Sequence, residues 1–396
     1  MGKYKLSIIV PTFNLEDEIE KTFNSIKSQN IGFDNIEVIF VDDMSTDNTL
    51  NILNNYSDSF NNVKVYSTDK NSGYAGKPRN IGLEKSTSDH VLFLDGDDQL
   101  LVNACKVLYD EIKLSQADII IGGQINVFSD ETFEFNPPVF FNEECHFTDM
   151  ENPNLLLIRP AISAKLFNKS VLTHNNINFN ENIPAQDLLF LLEVILNSHE
   201  VITLNSCYIY YRNLNDNSVT FRLDEDYFYG LIKAYGLVCD LFEKYDVDKE
   251  IQGIVLHNHL SFFTERVLSA YYSDDMEVDF EEIFNSEIFD ELSCKNIFIN
   301  NPNFDLYFKR MKNKEYNNRD LLNTIYQTFN FDSKIISDLK YVKDEISKLN
   351  IKPQKILENN KYLRKTNEDL IKENKSLSDE LNEIKSSKLW KLKNKF

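Results

Sequence analysis

Several features that mark common classes of protein are missing from this sequence of 396 residues. Its five cysteines form no C-x-x-C pair, so neither a zinc knuckle nor a disulfide framework is indicated, and a reducing cytosol is expected. No run of about 18 apolar residues occurs, which predicts that no transmembrane helix is present. No G-x-G-x-x-G follows the first strand-like segment, which argues against a dinucleotide-dependent oxidoreductase.

Positive charge is also scarce. The chain has 42 Lys and Arg against 63 Asp and Glu, a formal net charge of −21, so no affinity for nucleic acid is expected. Any anionic ligand must therefore be held by cations placed locally. The N-terminal apolar run ends at Pro11 and Asn14, too early for a signal-peptide core. These features together predict a cytoplasmic protein.

The hydrophobic content of 42% is sufficient for real cores, and the length predicts a large domain with at least one smaller appendage. Up to residue 123, apolar β-branched segments alternate with amphipathic segments. The predicted strands are 6–12, 36–43, 63–67, 90–98 and 117–123, and the predicted helices are 15–29, 46–56, 74–86 and 101–115. This alternation predicts βαβ units and an α/β fold with a mostly parallel sheet.

The remainder of the chain is less regular. Residues 129–160 are acidic and contain proline, which is typical of an insertion or an acceptor-side loop. A helix is predicted over 185–198, short strands over 201–205 and 207–213, and helices within 225–275. We therefore predict three regions, namely an α/β domain over 1–221, a mainly helical subdomain over 222–332 and a coiled coil over 333–396.

The coiled coil is predicted from apolar residues at every seventh position. They are Ile335, Val342, Leu349, Ile356, Leu363, Leu370, Leu377 and Ile384, with an interruption at Pro353. A parallel homodimer would bury these apolar residues between its two helices. The alternative is a helix that folds back on its own chain. The Lys-rich end around Trp390 suits an anionic membrane surface, and a solvated end is the alternative.

The stretch LDGDD, residues 94–98, places Asp95, Asp97 and Asp98 directly behind a predicted strand. Alone, such a cluster is most often a solvated turn. Parallel sheets, however, bind ligands at the carboxyl ends of their strands, and two other strands also end in polar residues. Hard oxygen ligands without nearby His or Cys favour Mg²⁺ or Mn²⁺, which complete their shells with substrate phosphates.

Five motifs in order carry a family resemblance. They are SIIVPTFN (7–14), VDDMSTDNT (41–49), SGYAGKPRNIGL (72–83), LDGDD (94–98) and QDLLF (186–190). With these motifs, residues 5–220 resemble an inverting glycosyltransferase of family 2 with the GT-A fold. The form G-x-P-R-N-x-G is also similar to that of bacterial enzymes that decorate wall teichoic acid. The resemblance implies a UDP-sugar donor and a hydroxyl acceptor on a glycan, polyol phosphate or lipid carrier.

The resemblance also implies residues that hold the donor. Pro11, Phe13 and Asp43 would contact uracil and ribose. Phe13 could instead be a core aromatic. Asp42 is interpreted as a brace for the following turn. The resemblance also implies that Asn71 and Arg79 contact the nucleotide, with the neighbouring Lys77 at the phosphates. In addition it implies a loop over the diphosphate that contains Arg212, Ser218 and Thr220.

Two further roles follow from the resemblance. Asp97 would coordinate the metal ion that bridges the diphosphate, and Asp95 would share that site and hold sugar or ribose hydroxyls. Asp187 matches the catalytic base that deprotonates the acceptor, with a helix-start carboxylate as the alternative. Gln186 stands where the family usually has Glu, which leaves acceptor binding open.

Other functions remain to be weighed. A nucleotidyltransferase also places carboxylates beside a nucleotide, but it would need a glycine-rich loop after the first strand, and PTFNLED has no glycine. A catalytically inactive scaffold organised by the coiled coil is a second alternative. Processive synthases of the superfamily carry Gln-x-x-Arg-Trp, whereas the single tryptophan here is Trp390. The sequence therefore favours transfer of one or a few sugars, in cell-surface glycopolymer synthesis.

Overall fold

The computed structural model describes residues 3–127, 133–136, 145–147, 155–156, 158–213, 223–272, 278–295, 309–311 and 313. All of them belong to the first of two compact units, which spans residues 1–335. The predicted coiled coil over 333–396 and the loop that carries Ser218 lie outside the described residues. The three predicted regions and the dimer therefore stay predictions.

A single mixed sheet forms the centre of the described part. Its ten strands are β1 (Leu6–Thr12), β2 (Ile36–Asp42), β3 (Val63–Ser67), β4 (His90–Phe93), β5 (Gln99–Leu100), β6 (Ile119–Val127), β7 (Phe133–Asn136), β8 (Cys145–Phe147), β9 (Lys165–Asn168) and β10 (Val201–Asn213). They are arranged in the order β3-β2-β1-β4-β9-β6-β10-β5, with β7 paired to β6 and β8 to β10.

The sheet is parallel only in part. Strands β3, β2, β1 and β4 are mutually parallel, as predicted, and so are β6 and β10. Strand β9 lies antiparallel between β4 and β6, and β5, β7 and β8 also pair in the antiparallel sense. The prediction of a mostly parallel sheet is thus wrong for the second half, because four-residue β9 carries too short a pattern to be recognised.

Every residue of β1 and β2 is buried, as expected for strands covered by helices on both faces. The helices are α1 (Ile19–Lys27), α2 (Thr49–Ser59), α3 (Gly76–Lys85), α4 (Ala104–Ser115), α5 (Lys169–His174), α6 (Gln186–Leu196), α7 (Glu225–Lys244), α8 (Lys249–Tyr272), α9 (Phe280–Phe284) and α10 (Glu287–Ser293). No helix among the described residues has the length and apolar composition needed to cross a membrane.

Helices α7 to α10 pack around an aromatic core, in which Phe228 contacts Phe263 and Phe280 at ring-centroid distances of 5.7 and 5.2 Å. The segment 129–160 contributes β7 and β8 to the sheet and is therefore more than a loop. The two strands predicted over 201–205 and 207–213 form one strand, β10, whose pairing with β6 shifts register between Leu204 and Tyr208.

Candidate active site

Hydrogen bonds tie together the loops that follow strands β1 and β2. The backbone N–H of Asn14 donates to Ser45 Oγ (2.9 Å), and the N–H of Thr46 donates to Asn14 Oδ1 (2.8 Å). Phe13 and Met44 are each 47% exposed at this edge. Phe13 is therefore not a core aromatic, and its exposed ring could stack on a planar ligand.

Asp42 and Asp43 stand at the end of β2 and have different partners. Asp42 accepts a hydrogen bond from the N–H of Ser45 (3.0 Å), which confirms that it braces the turn. The Asp43 carboxylate is buried and accepts from Thr68 Oγ1 (2.8 Å) and from the N–H (2.9 Å) and Oγ (2.8 Å) of Ser72. Asp43 thus anchors this loop, and its contact with a nucleoside stays a prediction.

Asn71 and Lys77 border the same loop. The Asn71 side chain donates to the carbonyl oxygen of Asp43 (3.0 Å) and accepts from the N–H of Gly73 (2.9 Å). Lys77, in the first turn of α3, pairs with the exposed Asp69, and this hydrogen bond raises the pKa of Lys77. Both residues lie near the sheet edge where the resemblance implies nucleotide contacts.

The aspartate cluster forms a tight turn against the first strand. The N–H of Asp98 donates to the carbonyl oxygen of Asp95 (3.0 Å). A Cβ on Gly96 would lie 2.9 Å from the carbonyl oxygen of Pro11, a buried residue of β1, so glycine is required for this close approach. The side chains of Asp95 and Asp97 remain partly exposed, whereas Asp98 is buried.

Arg79 joins the two acids to which the resemblance gives the central roles. Its Nη2 pairs with Asp95 Oδ1 at 2.6 Å, and its Nη1 pairs with Asp187 Oδ1. The Arg79 side chain is 3% exposed, against 40% for Asp95 and 29% for Asp187. Asp95 follows β4 and Asp187 lies in the first turn of α6, so one guanidinium brings together carboxylates that are distant in sequence.

Aromatic rings support this guanidinium. Its central carbon lies 5.2 Å from the ring centroid of Phe179, a cation–π arrangement. Phe179 in turn stacks on Phe190 of α6, with ring centroids 3.8 Å apart. Phe93, at the end of β4, meets Phe179 edge-on at 5.0 Å and Phe190 at 5.9 Å. The elements that carry the two acids are thus packed against the same rings that support Arg79.

The electrostatics of this cluster follow from burial and opposing charges. Burial raises the pKa of Asp187 above the ordinary aspartate range, and the nearby charge of Arg79 only partly reverses this effect. Burial alone would lower the pKa of Arg79, but the charges of Asp187 and Asp95 outweigh it, so its pKa is raised. Asp187 is therefore a stronger base than an exposed aspartate, beside a permanent cation.

Gln186 precedes Asp187 and is buried at 7% exposure. Its Oε1 has no hydrogen-bond partner among the described residues, and it packs against Gly76 at the start of α3. A Cβ on Gly76 would lie 2.5 Å from the carbonyl oxygen of Asn180 and would overlap Gln186 Oε1. A neutral amide can occupy this buried position without the desolvation cost that a carboxylate would incur.

Lys165, the first residue of β9, is a site residue that sequence reasoning missed. It is 1% exposed, and its Nζ donates to the carbonyl oxygens of Arg159 (2.9 Å) and Ala161. Burial lowers the pKa of Lys165 to about 7, although the charge of Asp187 acts in the opposite direction. One lysine in a short apolar segment gives no sequence signal of such a position.

The residues at the aspartate turn fit a magnesium or manganese ion. Among the described residues no group of three or more His, Cys, Asp or Glu side chains could hold a metal ion. Asp95 and Asp97 offer carboxylate oxygens at a partly exposed position, and Mg²⁺ commonly takes one or two carboxylates with substrate phosphates and water. Asp95 and Asp97 would thus need the substrate to complete the coordination.

Arg212, Ser218 and Thr220, the remaining predicted residues, cannot be placed in the site, and Thr220 lies outside the described residues. Arg212 lies on β10 opposite Asn126 of β6, and its side chain is outside the described part of the structure, as is the whole of Ser218. The closing loop implied by the resemblance therefore stays a prediction.

Comparison with known proteins gives a family match for part of this chain. Residues 7–173 match the family model of glycosyl transferase family 2. The poly(ribitol-phosphate) beta-glucosyltransferase of Bacillus spizizenii is 29% identical over 287 residues, which cover 69% of this chain and 43% of the relative. The poly(ribitol-phosphate) beta-N-acetylglucosaminyltransferase TarP of Staphylococcus aureus is 33% identical over 215 residues, covering 54% and 63% respectively.

Among solved structures, S. aureus TarS 1-349 in complex with UDP superposes with a TM-score of 0.62 at 23% identity, over 82% of this chain and 91% of that one. The complex of the same protein with UDP-GlcNAc gives the same TM-score at 24% identity and the same coverage. This likeness concerns the fold. The chain spans about half the length of the curated relatives that it matches. It has an α/β GT-A-like fold, and its residues 7–173 match the model of glycosyl transferase family 2.

Proposed function

We propose that this protein is a metal-dependent inverting glycosyltransferase that moves a sugar from a UDP-sugar to a hydroxyl of a polyol-phosphate polymer. Two relatives are named as glycosyltransferases of poly(ribitol-phosphate), and the structures with a similar fold hold UDP or UDP-GlcNAc. One relative is named for glucose and the other for N-acetylglucosamine, so the proposal includes both donor types. Glycan and lipid-linked acceptors receive less support than a polyol phosphate.

The observation that carries this proposal is the contact of Arg79 with both Asp95 and Asp187. An acid expected on the donor side and a base expected on the acceptor side must lie close together if one sugar carbon is to pass between donor and acceptor. A planar guanidinium with two separate nitrogens fixes their relative position. Such fixed positioning is what a displacement between two bound reactants requires.

Asp187 would accept the proton of the acceptor hydroxyl as the oxygen attacks the anomeric carbon of the sugar. The bond from that carbon to the UDP oxygen breaks, and its electron pair leaves with the diphosphate. One displacement inverts the anomeric centre, so a single base is enough and no covalent intermediate is needed. The raised pKa of Asp187 suits this role.

On the donor side, Phe13 would stack on the uracil and the loop anchored by Asp43 would hold the ribose. Asn71 and Lys77 would contact the nucleotide, and Asp95 would also accept hydrogen bonds from hydroxyls of the sugar or ribose. Asp95 and Asp97 would hold Mg²⁺ or Mn²⁺, which as a Lewis acid neutralises charge on the departing diphosphate. The loop with Arg212 and Ser218 would close over that diphosphate.

The first test is UDP release from UDP-glucose and UDP-GlcNAc with manganese and poly(ribitol phosphate), compared between the wild type and Asp97→Ala. We expect turnover in the wild type and a loss of roughly 100-fold or more in the variant, since ions of this kind supply several kcal/mol to the transition state. A nucleotidyltransferase would instead release diphosphate from nucleoside triphosphates. An inactive scaffold would bind UDP equally in both proteins and turn over neither donor.

The coiled coil predicted over 333–396 adds a homodimer to the proposal, and its Lys-rich end adds peripheral contact with an anionic membrane. Two weak membrane contacts in one dimer bind more tightly than one. Deleting 333–396 should lower the mass measured by light scattering and leave UDP affinity intact. An unchanged mass would refute the dimer.

A further inference from the structure

Lys165 is a buried lysine that the proposed mechanism does not use. Its side chain is 1% exposed, and the hydrogen-bond acceptors that the structure gives it are two neutral carbonyl oxygens, those of Arg159 and Ala161. Burying an ammonium group without a carboxylate beside it costs free energy, and an apolar side chain of the same size avoids this cost. Stability alone therefore does not explain a lysine here.

The position of Lys165 relates it to the aspartate turn. Strand β9 runs antiparallel to β4, with Leu166 opposite Leu92, so the first residue of β9 lies at the edge where Asp95 follows β4. The 3₁₀ turn Ile162–Ala164 directly precedes Lys165, and within it Ser163 Oγ accepts a hydrogen bond from the N–H of Asp95 (3.3 Å). The ammonium thus fixes the segment that leads into the turn holding the Asp95 backbone.

Lys165 also interacts with the proposed base. Burial lowers the pKa of Lys165, and the negative charge of Asp187 raises it in part. Lys165 in turn lowers the pKa of Asp187. An ammonium group has three N–H donors, and the two carbonyls occupy two of them. The link from Lys165 to Asp95 thus runs through hydrogen bonds and the backbone of 159–163, and the charge of Lys165 also favours the ionised form of Asp187.

We propose that Lys165 is a positioning residue of the transfer site, which holds the segment 159–163 against Asp95 through its hydrogen bonds to the carbonyl oxygens of Arg159 and Ala161. This inference rests on the proposed function and concerns the same site. Because Phe13 and the loop anchored by Asp43, the proposed uracil and ribose contacts, lie elsewhere at the sheet edge, loss of Lys165 should reduce kcat by a larger factor than UDP affinity. The misplacement of reacting groups by about 1 Å is enough to cost roughly 100-fold in rate.

The test compares Lys165→Met with Lys169→Met. Lys169 is a half-buried lysine four residues further along the chain, and its Nζ also donates to a backbone carbonyl, that of Ser86 (2.6 Å). Methionine is unbranched and one heavy atom shorter than lysine, so it keeps most of the apolar stem of both side chains and removes the charge. Steady-state kinetics with a UDP-sugar and calorimetric titration with UDP are measured for each protein, and Lys165→Gln serves as a second variant if Lys165→Met does not fold.

We expect kcat to fall roughly 10- to 100-fold in the Lys165 variant, by a larger factor than any loss of UDP affinity, with Lys169→Met close to the wild type. A wild-type kcat in the Lys165 variant would overturn the inference. So would a parallel loss of kcat and UDP affinity, which would show a purely structural role.

A second measurement does not depend on turnover. The shifts in Tm of Lys165→Met, Asp187→Asn and the double variant form a cycle. If Lys165 acts on Asp187 through its charge, the shift of the double variant differs from the sum of the two single shifts. Additive shifts would refute the electrostatic part. Should the wild type transfer no sugar, the proposed function fails, and this cycle still decides whether the two residues are coupled.

Discussion

At the sheet edge the buried Arg79 lies between opposite charges, whereas His259 and Cys239 in the helical region formed by α7 to α10 are neutral. At the sheet edge, Arg79 is 3% exposed and remains a cation between two carboxylates. In the helices, burial lowers the pKa of His259 to about 4 and raises the pKa of Cys239 to about 12, so both are neutral at pH 7. Burial disfavours charge in both regions, and at Arg79 the two carboxylates counter it.

This difference indicates where the molecule depends on charge. Arg79 is compensated by Asp95 and Asp187, so removal of one of these ions leaves its partner uncompensated. The aromatic core of the helices requires no such partners. Substitutions that alter charge should therefore have large effects at the sheet edge and small effects among the helices.

The largest effect is expected for Asp187→Asn, which keeps the shape of the side chain and removes the base. Turnover should fall roughly 1,000-fold, within the range that a positioned base contributes. UDP release under saturating donor measures it. Asp226→Asn is the matched control, because Asp226 is an exposed carboxylate in the first turn of α7. Equal losses in both variants would contradict the assigned role of Asp187.

The next effect concerns stability and Arg79. Arg79→Met leaves Asp95 and Asp187 facing each other without the cation, and the free energy of unfolding should fall by about 3 kcal/mol. Urea denaturation measures this loss. Adding Asp187→Asn to the variant should restore part of the stability, since one of the repelling charges is gone. If Arg79→Met is as stable as the wild type, the ion pairs do not hold the site together.

Two glycine-to-alanine substitutions compare the packing at the sheet edge with the packing in the helical region. Gly76→Ala should destabilise by about 2 kcal/mol, because its Cβ would overlap Gln186 and lie 2.5 Å from the Asn180 carbonyl oxygen. Gly236, within α7, has open space where a Cβ would be, so Gly236→Ala should stabilise by about 1 kcal/mol. In thermal unfolding, the Tm of Gly76→Ala should fall and that of Gly236→Ala should rise. Equal shifts of the two Tm values in one direction would contradict the packing described.

The smallest effect is a pH dependence in the helices. The folded pKa of His259, about 4, lies below its ordinary value of 6.5, so the unfolded chain binds more protons between these values. The stability due to neutral His259 is present above pH 6.5 and is lost as the pH falls towards 4. In His259→Leu the slope of unfolding free energy against pH should be smaller over this interval. Parallel curves for both proteins would show that His259 does not titrate on unfolding.

Much of the first half of the sheet could be predicted from the sequence. Strands β1 and β3 have the predicted bounds, because apolar β-branched segments bounded by turn residues specify buried strands with little help from the rest of the chain. Strand β9 has only four residues, and its antiparallel position depends on partners distant in sequence. The mixed character of the sheet was therefore not predictable from local pattern.

The acidic residues of the candidate site could be identified from the sequence more readily than its basic residues. Asp95 and Asp187 stand at motif positions, and both were expected in one crevice. Arg79 was expected at the nucleotide, whereas in the structure it bridges these two carboxylates. Lys165 belongs to no recognised motif. Contacts of this kind depend on how α3, β9 and α6 approach one another, which neither composition nor periodicity specifies.

The central claim is that Asp95 and Asp187 border one transfer site, in which a single base activates the acceptor. The anomeric configuration of the transferred sugar tests it most directly, by proton NMR of the product formed from an α-linked UDP-sugar and poly(ribitol phosphate). One displacement predicts a β-linked product. An α-linked product would require a second displacement and would contradict the account.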